Sequence, residues 1–261
     1  MVKTRKLRKP KRKMVKKYKK TLKLKGGNKV EEQFKNACEN GNLEKAKTLL
    51  RNNPTINISA NNEYAFRQAC IKGHLEVAQW LLEVKPDIDI SIDDEYAFIW
   101  TCGSGHLKVV KWLLEVKPTI NISANNEAAF KWACEQGRLE VAQFLLEVKP
   151  NINISSDNEA AFRWACDSGR LEVAQWLLEV KPNINISARN EEAFRFSCRN
   201  GHLAVAQWLR SLKPLAYNLA NCTVNTEKNQ KMTGLLYSIN KSGNENALTA
   251  DVVEGLNEYI Q

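Results

Sequence analysis

Apolar residues in the middle of the chain recur on two scales at once. Within residues 66–91, FRQACIKGHLEVAQWLLEVKPDIDIS, they fall at helical spacing, and near copies of the segment begin 32, 64 and 96 residues later. Phe66, Ala69 and Cys70 form the apolar stripe of a first helix, while positions 64, 67, 68, 71 and 72 share its opposite arc. Gly73 supplies the left-handed residue that ends this helix, and Asn62 stands where an N-cap is expected. A second helix follows, with Glu76 in its first turn and Lys85 in its last, and Pro86 stops it. Its apolar arc covers more than half the circumference and leaves only a narrow strip of Glu76, Gln79 and Glu83. Such a helix must be covered on both sides, which a stack achieves and a lone helical hairpin does not. After Pro86, DIDIS alternates like a short extended arm, and IDD or ANN makes a tip turn.

Pro54, Pro86, Pro118, Pro150, Pro182 and Pro214 keep the same 32-residue step. The units run over 30–61, 62–93, 94–125, 126–157, 158–189 and 190–221. A fixed period of this size predicts an all-α solenoid of about six helix-turn-helix units joined by short β-hairpin-like loops. The first unit turns one flank polar, with Asn36, Lys45 and Thr48 where later units are apolar, as a solvent-facing end requires. The unit resembles the ankyrin repeat. Phe66, Ala69-Cys70, Gly73-His74, Leu81-Leu82 and Ile88-Asp89 match its helix, turn and loop elements, while Lys85-Pro86 replaces its Gly-Ala. This style of repeat is similar to those of large DNA viruses. The resemblance covers about residues 30–221 and implies a non-enzymatic scaffold that grips a protein partner along a concave face of first helices and hairpins.

Charge divides the chain. Residues 1–29 hold 15 Lys/Arg and no Asp/Glu, including Lys3, Arg5, Lys6, Arg8, Lys9, Lys11, Arg12, Lys13, Lys16, Lys17, Lys19 and Lys20. The other 232 residues carry 24 basic and 29 acidic groups, so the net +10 belongs to a basic arm on a mildly acidic body. Self-repulsion predicts a disordered arm. It reads first as a nuclear-import signal, with a salt-sensitive grip on nucleic acid or a solubilising tail as alternatives. Residues 222–261 leave the repeat pattern and read as a helical or partly disordered cap. ALTADVVEGLNEYI there looks like the start of an F-box, which would make the chain a ubiquitin-ligase substrate adaptor.

Chemistry is sparse. Cys38, Cys70, Cys102, Cys134, Cys166 and Cys198 form a 32-residue ladder. Equivalent positions on stacked units lie about 8–10 Å apart, beyond the reach of about 7 Å that a disulfide needs. They read as small buried thiols in a reducing compartment. His74, His106 and His202 share one repeat position with Asn42, Arg138 and Arg170, which suits a loop brace and not a catalytic base. No constellation calls for catalysis, a cofactor or a metal. The expected protein is an intracellular monomer, nuclear or cytoplasmic, without integral membrane association.

The positions that refuse to repeat are the candidate binding residues. On the exposed arc of the first helices these are Tyr64, Gln68, Ile71, Lys72, Tyr96, Trp100, Trp132, Glu135, Trp164, Asp167, Phe196 and Arg199. Tip residues such as Ile92-Asp93, Ser156-Asp157 and Ala188-Arg189 also vary. Trp100, Trp132, Trp164 and Phe196 are equivalent, so stacking should set them in a row at about 8–10 Å steps. They read either as packing between first helices or as an aromatic strip, flanked by Glu135 and Asp167, that anchors a peptide.

Overall fold

The computed structural model describes residues 29–214. The basic arm and the C-terminal segment, with the disorder, F-box and cap readings attached to them, lie outside the described residues. Helices alternate in pairs: α1 (Lys29–Glu39) with α2 (Leu43–Asn52), α3 (Ala60–Ile71) with α4 (Leu75–Val84), and α5 (Ile92–Ser104) with α6 (Leu107–Val116). The series continues through α7 (Ala124–Glu135) with α8 (Leu139–Val148), α9 (Ser156–Asp167) with α10 (Leu171–Val180), and α11 (Ala188–Arg199) with α12 (Leu203–Leu212). Each first helix packs on its own second helix and on the first helix of the next pair, which makes the stack.

The core follows the recurring letters. Phe34, Phe66, Phe98, Phe130 and Phe162 are fully buried, as are Leu81, Leu113, Leu145, Leu177 and Leu209. A second aromatic ties neighbouring units together. Trp80, Trp112, Trp176 and Trp208 pack on the phenylalanine of the preceding unit with ring centroids 6.2–6.3 Å apart. At the polar end, Asn36, Lys45 and Thr48 are exposed. Five rungs of the cysteine ladder, Cys38, Cys70, Cys102, Cys134 and Cys166, are buried free thiols, and burial pushes the Cys38 thiol up to about 12. The sixth rung corrects the expectation. Cys198 is disulfide-bonded, and the spacing argument excludes only bonds between rungs.

The turn between paired helices is a glycine brace. Gly73 has φ +81°, and a Cβ added there would meet His106 Nδ1 at 2.5 Å. The same position one unit earlier shows what the ring does: His74 Nε2 lies 3.1 Å from the Glu39 carbonyl oxygen, joining one unit to the helix end of the unit before. Arg138 and Arg170 lay their aliphatic stems on Gly105 and Gly137 in the same way.

The loop departs from the expected extended arm and hairpin tip. Among the described residues there is no strand; tight turns lead into three successive left-handed residues in each of five units. These are Asn61-Asn62-Glu63, Asp93-Asp94-Glu95, Asn125-Asn126-Glu127, Asp157-Asn158-Glu159 and Arg189-Asn190-Glu191, with φ between 53° and 64°. Asn62 is therefore not an N-cap: it sits inside the left-handed turn, and its amide donates to the Asp93 carboxylate. Asn and Asp tolerate this region because their short side chains bond locally. Glutamate has no such excuse, and is held there by its carboxylate. Glu95 accepts from Ser91 Oγ of the preceding unit at 2.7 Å and from the Asn121 backbone N–H, in the loop that closes its own unit, at 3.1 Å. Glu127 and Glu159 repeat both contacts with Ser123 and Asn153, and with Ser155 and Asn185.

Candidate partner-binding face

The first helices bring four of the candidate residues into one strip. Tyr96 and Trp100 lie one turn apart on α5 with ring centroids at 5.8 Å. Trp100 meets Trp132 of α7 at 4.9 Å, and Trp132 meets Trp164 of α9 at 6.4 Å. These steps are shorter than the repeat spacing because the rings lean together, tilted by 34° and 53°. All four rings are half-buried: their packing surface is used, and an edge of the strip stays open to solvent. Phe196 on α11 is half-buried too and carries the Arg195 guanidinium 5.8 Å from its ring centre.

Two cations lie against rings of the strip. Arg67 sits 4.7 Å from the Tyr96 ring centre and Lys131 sits 5.6 Å from that of Trp164. These groups belong to a repeat position whose role its variability hides. Lys131 and Arg163 are 4% and 2% exposed, which is rare for charged side chains unless they are paired. Lys131 pairs with Asp157, Arg67 with Asp93 at 3.2 Å, and Arg163 with Glu192 at 2.7 Å. Arg163 also donates to the carbonyls of Asp157 and Asn158, two residues of the left-handed turn. Where the cation is replaced by Ile99, the partner 26 residues on is the uncharged Asn125. Tip variation at Asp93, Asp157 and Arg189 is thus engaged in ion pairs, the first two with cations of their own unit's first helix and the third with Glu192 of the next unit.

Other candidates take different places. Glu135 was expected on the exposed arc as an acidic flank, but it is 1% exposed. The arc drawn for an isolated helix ignores how closely the neighbouring first helices approach at that end. Asp167 is half-buried and occupied, its carboxylate and carbonyl accepting from Asn200 Nδ2. Tyr64 donates to Glu39 Oε2 at 2.9 Å, and burial together with that carboxylate pushes its hydroxyl pKa upward. Gln68 and Ile71 are half-buried, whereas Lys72 and Arg199 are exposed. Arg138 and Arg170, at the turns just beyond the first helices, are exposed as well.

Two groups of functional consequence were not singled out from the sequence: the cations at positions 67, 131 and 163, half-buried at the first and buried at the other two, and the glutamates at 95, 127 and 159. Their signal was present as recurrence, a Glu every 32 residues and, for Arg67 and Lys131, an acid 26 residues on; Arg163 instead reaches Glu192, 29 residues on. Among the described residues, no group of three or more His, Cys, Asp or Glu side chains is placed to hold a metal ion. No helix among them is long and apolar enough to cross a membrane.

Comparison with known families agrees with this architecture. A model described as ankyrin repeats (3 copies) matches residues 86–157, and one described as ankyrin repeats (many copies) matches residues 34–82 and 162–210. No curated protein matches the sequence.

Proposed function

The chain belongs to the ankyrin-repeat family, and we propose that it is a non-enzymatic scaffold binding a protein partner along the face of its first helices. Ankyrin repeats are in general protein–protein interaction modules, and the continuous half-open strip of Tyr96, Trp100, Trp132 and Trp164 carries the reading for this face. Large amphipathic rings held rigid by packing lose little entropy on binding, which is why Trp and Tyr dominate binding hot spots. The recurring polar groups point elsewhere: histidines brace turns, glutamates staple loops and the buried cations pair with the next tip. None of them converges on a cleft where a reacting atom could sit.

Affinity capture on immobilised full-length protein tests this reading. The W132A/W164A variant should keep the far-UV helical signal and lose the proteins that the parent retains. Retention of the same proteins by the folded variant would sink it.

A second reading concerns the arm, whose 15 Lys/Arg without any acid favour an electrostatic role. In this reading the arm binds nucleic acid or an import receptor while the solenoid presents cargo. Deleting residues 1–25 should then abolish salt-dependent oligonucleotide binding, with log affinity falling linearly in log salt for the parent. Undiminished binding after the deletion would exclude the arm as the grip.

A further inference from the structure

We propose that the partner element held by this face is an acidic amphipathic α-helix, laid across the first helices of the third to fifth repeats. This rests on the reading that the first-helix face is the grip, and adds the chemistry of what it takes.

Spacing argues for a helix. From Trp100 through Trp132 to Trp164 the two centroid steps are 4.9 and 6.4 Å, so the end rings lie at most about 11 Å apart. Side chains at i, i+4 and i+7 of a helix advance about 5.4 Å per turn, or about 11 Å over the same three contacts. An extended peptide offers same-face side chains every 6.7 Å or so, and three of them span about 13 Å, which overshoots the strip. A helical stripe therefore keeps register with all three rings.

Charge argues for acid. Three acidic side chains of this face are already engaged: Glu135 is buried, Asp167 is held by Asn200, and Glu192 by Arg163 and Arg189. The cations along its turn side are in the opposite condition. Arg138 and Arg170 are exposed where the first helices end, and Lys72 and Arg199 extend the same side. These four make no ion pair within the described residues. An apolar strip with a one-sided row of free cations complements a helix that has an apolar stripe and Asp or Glu along one flank.

The test selects displayed random peptides of about 16 residues, long enough for four helical turns, on the immobilised full-length chain. Winners are then measured by fluorescence anisotropy against the parent, W132A/W164A and R138E/R170E. Both variants are first checked for an unchanged far-UV spectrum and unfolding midpoint. The expected winners place apolar residues at i, i+4 and i+7 beside Asp or Glu, become helical when bound, and weaken about tenfold or more on either variant. Winners that need the tryptophans but are basic, or alternate with period two, overturn the acidic-helix inference and leave the face as the grip. Winners indifferent to W132A/W164A, or no winners, overturn both. Oligothymidylate binding that depends on Trp132 and Trp164 also overturns the inference, since the strip would then be a base-stacking platform.

Discussion

Histidine at the repeat junction illustrates how one side chain can make the stack sensitive to pH. Burial is the main cause holding His106 below the ordinary imidazole value, with the Arg138 and His74 charges adding to it. Burial likewise lowers His202, where Arg170 adds and Asp167 opposes. In the unfolded chain both titrate near 6.5 or so, so protons bind the unfolded state more tightly. Their contribution to stability is fully present above that pH and is lost as pH falls through the lower folded-state values. The urea midpoint should therefore drop between about pH 7.5 and pH 5.5. A H106N/H202N variant, which copies the asparagine found at Asn42, should show a flatter profile. An equal drop in the variant would place the effect elsewhere. The brace role of these histidines was legible from the sequence because Asn and Arg replace them at the same position. Their bond to the preceding unit was not, since it joins residues 35 apart.

Between neighbouring units the left-handed turn and the cation that serves it behave as one element. Lys131 is nearly buried against the half-exposed Asp157, so D157N strands a positive charge in a desolvated place. A loss of about 1–3 kcal/mol in unfolding free energy is expected, below the fully buried case because Asp157 remains partly in water. The chain contains its own compensated alternative, Ile99 with Asn125. The K131I/D157N double variant should thus recover most of that loss, which a double-mutant cycle from urea titrations would read directly. Additive losses would show that the pair is not coupled. The helices themselves were legible because their apolar periods, glycine stops and prolines are local signals. The turn was not, because Asn-Asn-Glu and Asp-Asp-Glu look like any polar loop. Only the carboxylate's bonds to a serine of the preceding unit and to an N–H in the following loop, 26 residues on, explain why glutamate accepts φ near 60°. The same distance effect disguised tip variation as recognition, when Asp93 and Asp157 answer Arg67 and Lys131.

At the scale of the molecule, a one-dimensional stack separates its two tasks: recurring letters hold each unit to the next, and the remaining arc is free to specialise. The aromatic row could be foreseen from equivalent positions, since Trp100, Trp132 and Trp164 stand one period apart. Its tightness and the sign of its free charges could not. Both depend on how far each ring leans and on which charges find partners in the fold, while Glu135 is interior because neighbouring first helices approach closely at that end. Hydrogen–deuterium exchange of the full-length chain, with and without a captured partner, tests the central claim most directly. The account predicts that the partner slows exchange in α5, α7 and α9, the helices carrying Tyr96, Trp100, Trp132 and Trp164, while α6, α8 and α10 are unchanged. Protection confined to the second helices, or to residues 1–28 and 215–261, would contradict it.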